Sequence, residues 1–169
     1  MSEALAPPFL VASLVLCIAG LAKLRAPATA AAALGLGRVG PYSIRALALV
    51  EVALGAACVL HPTRALALAL AAAYAVFATV AVVLKRRRAA CGCFGDNDLP
   101  VSQAHVIASE LLCALAAVAA FASPRGLSWL ASQPASIAVV AALGIAGGAY
   151  AMVLLYTAVP RAWAAWSGG

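Results

Sequence analysis

Residues 64–98 read RALALALAAAYAVFATVAVVLKRRRAACGCFGDND. Between Arg64 and Lys85 stands an uninterrupted run without a charge, as long as the roughly 20 residues needed to cross the hydrocarbon core of a bilayer. Four consecutive cations, Lys85-Arg86-Arg87-Arg88, close it, and a polar loop with two cysteines follows. The stretch therefore reads as a membrane span that ends at a charged surface and opens into a loop equipped for chemistry.

Outward from this stretch the same pattern repeats. Apolar runs of spanning length cover about residues 5–24, 42–60, 64–84, 101–122 and 136–159, with the cysteine loop at 85–100. Pro7 and Pro8 suit a first helical turn, where a missing N–H costs least. Pro27, Gly37, Gly40, Pro41, Pro62, Pro100 and Pro124 fall between the runs, where they break helices. Residues 28–37 are too short to cross and are expected to lie at the interface as a short helix. No cleaved signal peptide is read at the start, because a basic n-region is missing and the first run continues to Leu24.

The chain of 169 residues is 66% hydrophobic and 9% charged, more apolar surface than a soluble domain of this size can hide. The expected fold class is all-α integral membrane, an up-down four-helix transmembrane bundle plus a fifth transmembrane helix, in a single polytopic domain. A net charge of +6 does not point to nucleic acid here, since the cations flank apolar runs and serve as headgroup anchors. Lys23, Arg25, Arg38, Arg45, the four residues 85–88 and Arg161 fall on one side of the membrane, and Arg64 and Arg125 on the other. By the positive-inside tendency, this asymmetry puts the cysteine loop at the cytoplasmic face of a bacterial inner membrane and the N-terminus outside.

Cys91-Gly92-Cys93 carries the functional reading. Thiolate is the reactive form of cysteine, and neighbouring cations favour it. An extended i, i+2 pair sits near the upper limit of about 4.4–6.8 Å for bridged Cα atoms, so closing the ring needs the bend that Gly92 permits. A strained disulfide is readily reduced, which suits a pair that cycles. The other cysteines, Cys17, Cys58 and Cys113, read as small hydrophobes in apolar helices.

Three ionisable residues fall inside the expected spans: Glu51, His105 and Glu110. Such groups are costly in lipid and usually face a protein interior. Glu51 stands roughly 13 Å from the loop side at 1.5 Å per residue, and Glu110 at a similar depth. His105, Ser109 and Cys113 share one stripe of the fourth span, with His105 nearest the loop. These groups are expected to sit beneath the thiols and to tune them, His105 by moving protons. Cys91, Cys93, His105, Glu110 and Glu51 are the candidate catalytic residues.

Cys91-Gly92-Cys93-Phe94-Gly95 after a span with a basic end resembles the CGCFG motif of the MauE family of methylamine-utilisation membrane proteins, related to DoxX-like proteins. Gly20-Leu21-Ala22-Lys23-Leu24 with Pro27 is similar to the family's Gly-x-x-Lys-Leu ending of its first span. Glu51 with Gly55 is similar to the Glu-x-x-x-Gly of its second. The likeness covers about residues 10–120. It departs where the family has an arginine near the start of the fourth span, for here stand His105 and Glu110. The resemblance implies a four-helix layout like that of DsbB and vitamin K epoxide reductase, and a role in disulfide formation during maturation of a methylamine-dehydrogenase-type client, with a thioredoxin-like partner. Such maturation is periplasmic, whereas the charge pattern puts the thiols inside; electrons passed across the membrane, or a partner on the cytoplasmic side, reconcile the two.

No cofactor is fixed by these residues; a quinone is compatible with them, and no metal is expected. Two rival readings stand beside the redox one. An accessory or scaffold subunit would use the loop to dock a partner, or to hold a metal through Cys91, Cys93, Asp96 and His105. A small transporter would use Glu51 and Glu110 along its path, but the paired broken spans of that class are not evident.

Overall fold

A computed structural model of the chain describes residues 3–87, 89, 101–122, 124–159, 162 and 166. The Cys-Gly-Cys motif, and with it the expectations about Cys91 and Cys93, lies outside the described residues. So do Arg88 and Arg161, two of the cations in the charge pattern.

Among the described residues the structure is helical, without strands. Its elements are α1 (Ala6–Arg25), α2 (Pro27–Ala33), α3 (Gly40–Leu60), α4 (Arg64–Arg86), α5 (Gln103–Phe121), α6 (Leu127–Ala131) and α7 (Ala135–Thr157). Alanine and leucine dominate them and favour helix. Proline occupies the first turn of α1, α2 and α3, where it removes no internal hydrogen bond. Thr63 caps α4, its hydroxyl accepting from the Leu66 amide at 3.2 Å. Five helices, α1, α3, α4, α5 and α7, are long and apolar enough to cross a membrane. The protein is a multi-pass membrane protein.

The four-helix bundle closes as a ring. α1 packs on α3, α3 on α4, α4 on α5, and α5 back on α1. The interior holds Phe9, Leu16, Cys58, Leu70, Tyr74 and Leu112, with alanines filling the close approaches. Across one diagonal the Tyr74 hydroxyl of α4 donates to the Ala12 carbonyl of α1 at 2.6 Å. α7 leans on the outside of α1, where Gly148 meets Val11, and only Ile145, Ala149 and Tyr156 of this helix are buried. Leu49, Val50, Val76, Leu111, Val140 and Leu143 point outward and exposed, which lipid tolerates and water would not.

Two glycines set the contact between α1 and α3. A Cβ on Gly20 would meet the Ala48 carbonyl oxygen and Val52 Cγ2 at 2.8 Å. A Cβ on Gly55 would meet the Ser13 carbonyl oxygen at 2.7 Å. Without side chains at these points, α1 and α3 approach backbone to backbone, as small residues allow in membranes. Both sequence patterns, Gly20 with Lys23 and Glu51 with Gly55, lie on this contact.

Candidate functional site

Lys23 is three residues beyond Gly20 and Glu51 four before Gly55, so each charged side chain lies one helical turn from a glycine on the same face. The close approach brings them together. Lys23 Nζ donates to Glu51 Oε1 at 2.7 Å and to Oε2 at 2.6 Å. Their side chains are 6% and 3% exposed. The ammonium also sits 4.6 Å from the Phe77 ring centroid of α4, over its electron-rich face. Two charges that would be expensive apart thus form a forked pair within an apolar wall.

As a cation at the end of an apolar run, Lys23 reads as a headgroup anchor and a topology signal. The structure corrects this: Lys23 is an interior residue. In the sequence a lysine and a glutamate each stand one turn from a glycine on consecutive spans, but that spacing does not by itself say that they pair. The basic asymmetry that sets the expected orientation loses one residue and keeps its direction.

A second polar group lies where α5 begins. The Ser102 amide donates to His105 Nδ1 at 3.3 Å, and the Ser102 hydroxyl lies 2.9 Å from the same nitrogen. This is the reciprocal arrangement of a capping box, with histidine in the usual place of Glu or Gln. Because Nδ1 accepts from a backbone N–H, the ring proton is on Nε2. The His105 and Tyr156 rings meet edge to face with centroids 5.3 Å apart. One turn below, Ser109 Oγ lies 3.1 Å from the Tyr156 hydroxyl.

The two groups face one interior cavity. Lys23, Tyr74, His105, Ser109 and Tyr156 line it together with Val15, Leu16, Ala19, Phe77 and Ala81. Its volume is about 30 Å³ and its wall is mostly apolar. α1, α4, α5 and α7 all contribute, so the cavity exists only in the assembled bundle. Nothing in the sequence marks Tyr74 and Tyr156, since lone tyrosines in apolar runs carry no pattern.

The cavity lies toward the end of the bundle from which the cysteine loop departs. There the Val101 amide donates to the Ala89 carbonyl at 3.1 Å and the Ala89 amide to that of Leu84 at 3.0 Å, joining the two ends of the loop at its base. In the sequence Cys91 follows Ala89 by two residues.

Glu110 is not part of this interior. The expectation that it sits beneath the loop beside Glu51 is corrected: it lies exposed on the outer face of α5, between Ile107 and Leu111, which are 47% and 66% exposed. Along the expected stripe, His105 and Ser109 turn inward and are buried, whereas Cys113 is half-buried. Cys17 and Cys58 bond across helices, their thiols donating at 3.6 Å to the Val52 carbonyl of α3 and the Leu66 carbonyl of α4. No group of metal-ligating side chains occurs among the described residues.

A bundle of spanning helices with a buried ion pair and a small interior cavity defines a polytopic α-helical membrane protein. Residues 3–123 match the family model described as methylamine utilisation protein MauE, and the chain belongs to that family. The matched region holds Lys23, Glu51, His105 and Ser109, while Tyr156 closes the cavity from a helix beyond it. No curated protein and no solved structure matches the chain.

Proposed function

We propose that this protein is a thiol–disulfide redox protein of the bacterial inner membrane. Cys91 and Cys93 exchange electrons with a thioredoxin-like partner and so support disulfide formation in a client such as a methylamine-dehydrogenase-type enzyme. One observation carries the reading: a mostly apolar cavity with Lys23 and His105 on its wall, Lys23 paired to Glu51 behind it, lies toward the end of the bundle where Ala89 and Val101 close the base of the cysteine loop. A cavity with buried charge near a thiol loop is where such chemistry is expected to be tuned.

In the direction that supports client disulfides, a thiolate of the partner attacks a sulfur of the Cys91–Cys93 disulfide, forming a mixed disulfide and releasing the other cysteine as thiolate. The partner's second thiolate then attacks the mixed disulfide. The partner ends oxidised, the pair here ends as a dithiol, and the two protons pass to it. Re-oxidation of the pair takes a two-electron acceptor, for which a membrane quinone is the class proposed. Lys23, Glu51 and His105 hold the charge and shape of the bundle end near this step. Glu110, on the outer face of α5, is assigned no part in it.

A second reading, an accessory subunit whose loop docks a partner without redox turnover, is favoured by one observation. Lys23 and Glu51 satisfy each other and Ser102 satisfies His105 Nδ1, so these groups serve the fold without further chemistry. Single Cys91→Ser and Cys93→Ser variants separate the two. The redox reading expects one of them to accumulate a covalent adduct with a thioredoxin-like protein on non-reducing gels, and both to lose client maturation. Full maturation with both variants overturns it in favour of the accessory role.

A further inference from the structure

At the membrane face, the ends of α4 and α5 enclose a second concavity, separate from the interior cavity. It is a groove of about 340 Å³ lined by Val82, Lys85, Arg86, Gln103 and Val106. That volume is within the range of small-ligand sites, roughly 300–1,000 Å³. Its chemistry is graded along the membrane normal. Val82 and Val106 form an apolar floor about one turn below the rim, and Val106 packs with Ala81 and Leu84 in a small core of its own. Lys85 and Arg86 form an exposed cationic rim, and the Gln103 carboxamide accepts from the Lys85 ammonium, fixing that cation across the gap between the two helices. Glu110 lies a turn below Val106 and outside the lining, so among the described residues no carboxylate lines the rim.

We propose that this groove binds the headgroup of an anionic phospholipid. The phosphodiester engages Lys85 and Arg86, and the start of an acyl chain follows Val82 and Val106. A rim at the level of the helix ends is headgroup depth, and a floor of valines below it suits hydrocarbon rather than a dissolved ion. The choline group of a zwitterionic lipid would bring a further cation against two cations. The net charge of +6, largely from residues at helix ends, strengthens the attraction to an anionic leaflet. A lipid held here spans the last turn of α4 and the first of α5, and so braces the base of the loop between them. The proposal does not depend on what that loop does.

The test uses the full chain purified in a neutral detergent, with phosphatidylglycerol and phosphatidylcholine as probes and retained lipid read by native mass spectrometry. Phosphatidylglycerol is expected to be retained at least tenfold better. The Lys85→Gln/Arg86→Gln double variant is expected to bind about 30-fold more weakly, the effect of two cations near an anionic surface. An Arg25→Gln/Arg38→Gln variant loses the same charge elsewhere and is expected to bind as the wild type. Equal losses in both double variants would overturn the site in favour of net charge alone. If the first variant does not fold, Gln103→Glu, a change at an exposed position, sets a carboxylate in the rim; unchanged retention there overturns the proposal. Soluble glycerol phosphate separates the two sources of phosphate: competition at equal concentration would show that the acyl floor does nothing and that the ligand is a free phosphate ester.

Discussion

Lys23 and Glu51, on the first two spans, form a forked ion pair with both carboxylate oxygens within 2.7 Å of one ammonium. It joins α1 to α3 beside an interior cavity. Removing one partner leaves the other charge buried, which typically costs about 3–5 kcal/mol. Lys23→Met and Glu51→Gln are each expected to lower the free energy of unfolding in detergent by that order. The double variant leaves no unpaired charge and is expected to recover most of the loss. Additive losses in the double-variant cycle would show that the two residues act separately.

The glycine contact makes a second expectation. Gly55→Ala adds a methyl where the Ser13 carbonyl already stands, and helix backbone yields little. Overpacking of this kind costs about 1–3 kcal/mol, and here it also pushes Lys23 from Glu51. Gly144→Ala in α7, where a Cβ meets nothing within 4 Å, is the matched control and is expected to be neutral or slightly stabilising. Thermal unfolding of the two variants in the same detergent reads the difference.

Tyr74→Phe tests the diagonal of the bundle. It deletes one buried hydrogen bond to Ala12 and keeps the ring that meets Phe77 edge to face at 5.9 Å. The expected loss is about 0.5–1.5 kcal/mol, because the Ala12 carbonyl keeps its helical partner. A loss several times larger would mean that the hydroxyl also orders the cavity.

His105 is expected to act on the loop base through the start of α5. His105→Ala removes the side chain that accepts from Ser102, a capping loss of about 1 kcal/mol. Hydrogen exchange at the Val101 amide, which closes the loop base on Ala89, is expected to quicken. His105→Gln, the usual residue of a capping box, is expected to restore protection. Restored protection together with altered alkylation of Cys91 or Cys93 would separate a role in thiol chemistry from the role in the fold.

Orientation is open to a direct measurement. The basic asymmetry persists without Lys23, so the loop end is expected inside. A membrane-impermeant thiol reagent is expected to spare Cys91 and Cys93 in intact cells and to label them in inverted vesicles. Labelling from outside would reverse the topology and put the thiols on the side where periplasmic clients mature.

Composition and the length of the apolar runs determined the number of spans, because a bilayer accepts little but uncharged helices of about 20 residues. Proline and glycine between the runs marked where helices stop, and Cys91-Gly92-Cys93-Phe94-Gly95 pointed to the family that the matched region shows. Partners across the bundle were not legible. Glu51 and Glu110 look alike in sequence, each an acid amid apolar residues, yet Glu51 turns inward to Lys23 while Glu110 faces outward. Helices apolar on every side carry no stripe to tell core from lipid, so the rotation of each about its axis is set by packing. That packing rests on Gly20 and Gly55, whose missing side chains let two backbones touch. It alone decided that an apparent headgroup anchor, Lys23, is an interior charge, and that Tyr156 of the last span completes the cavity.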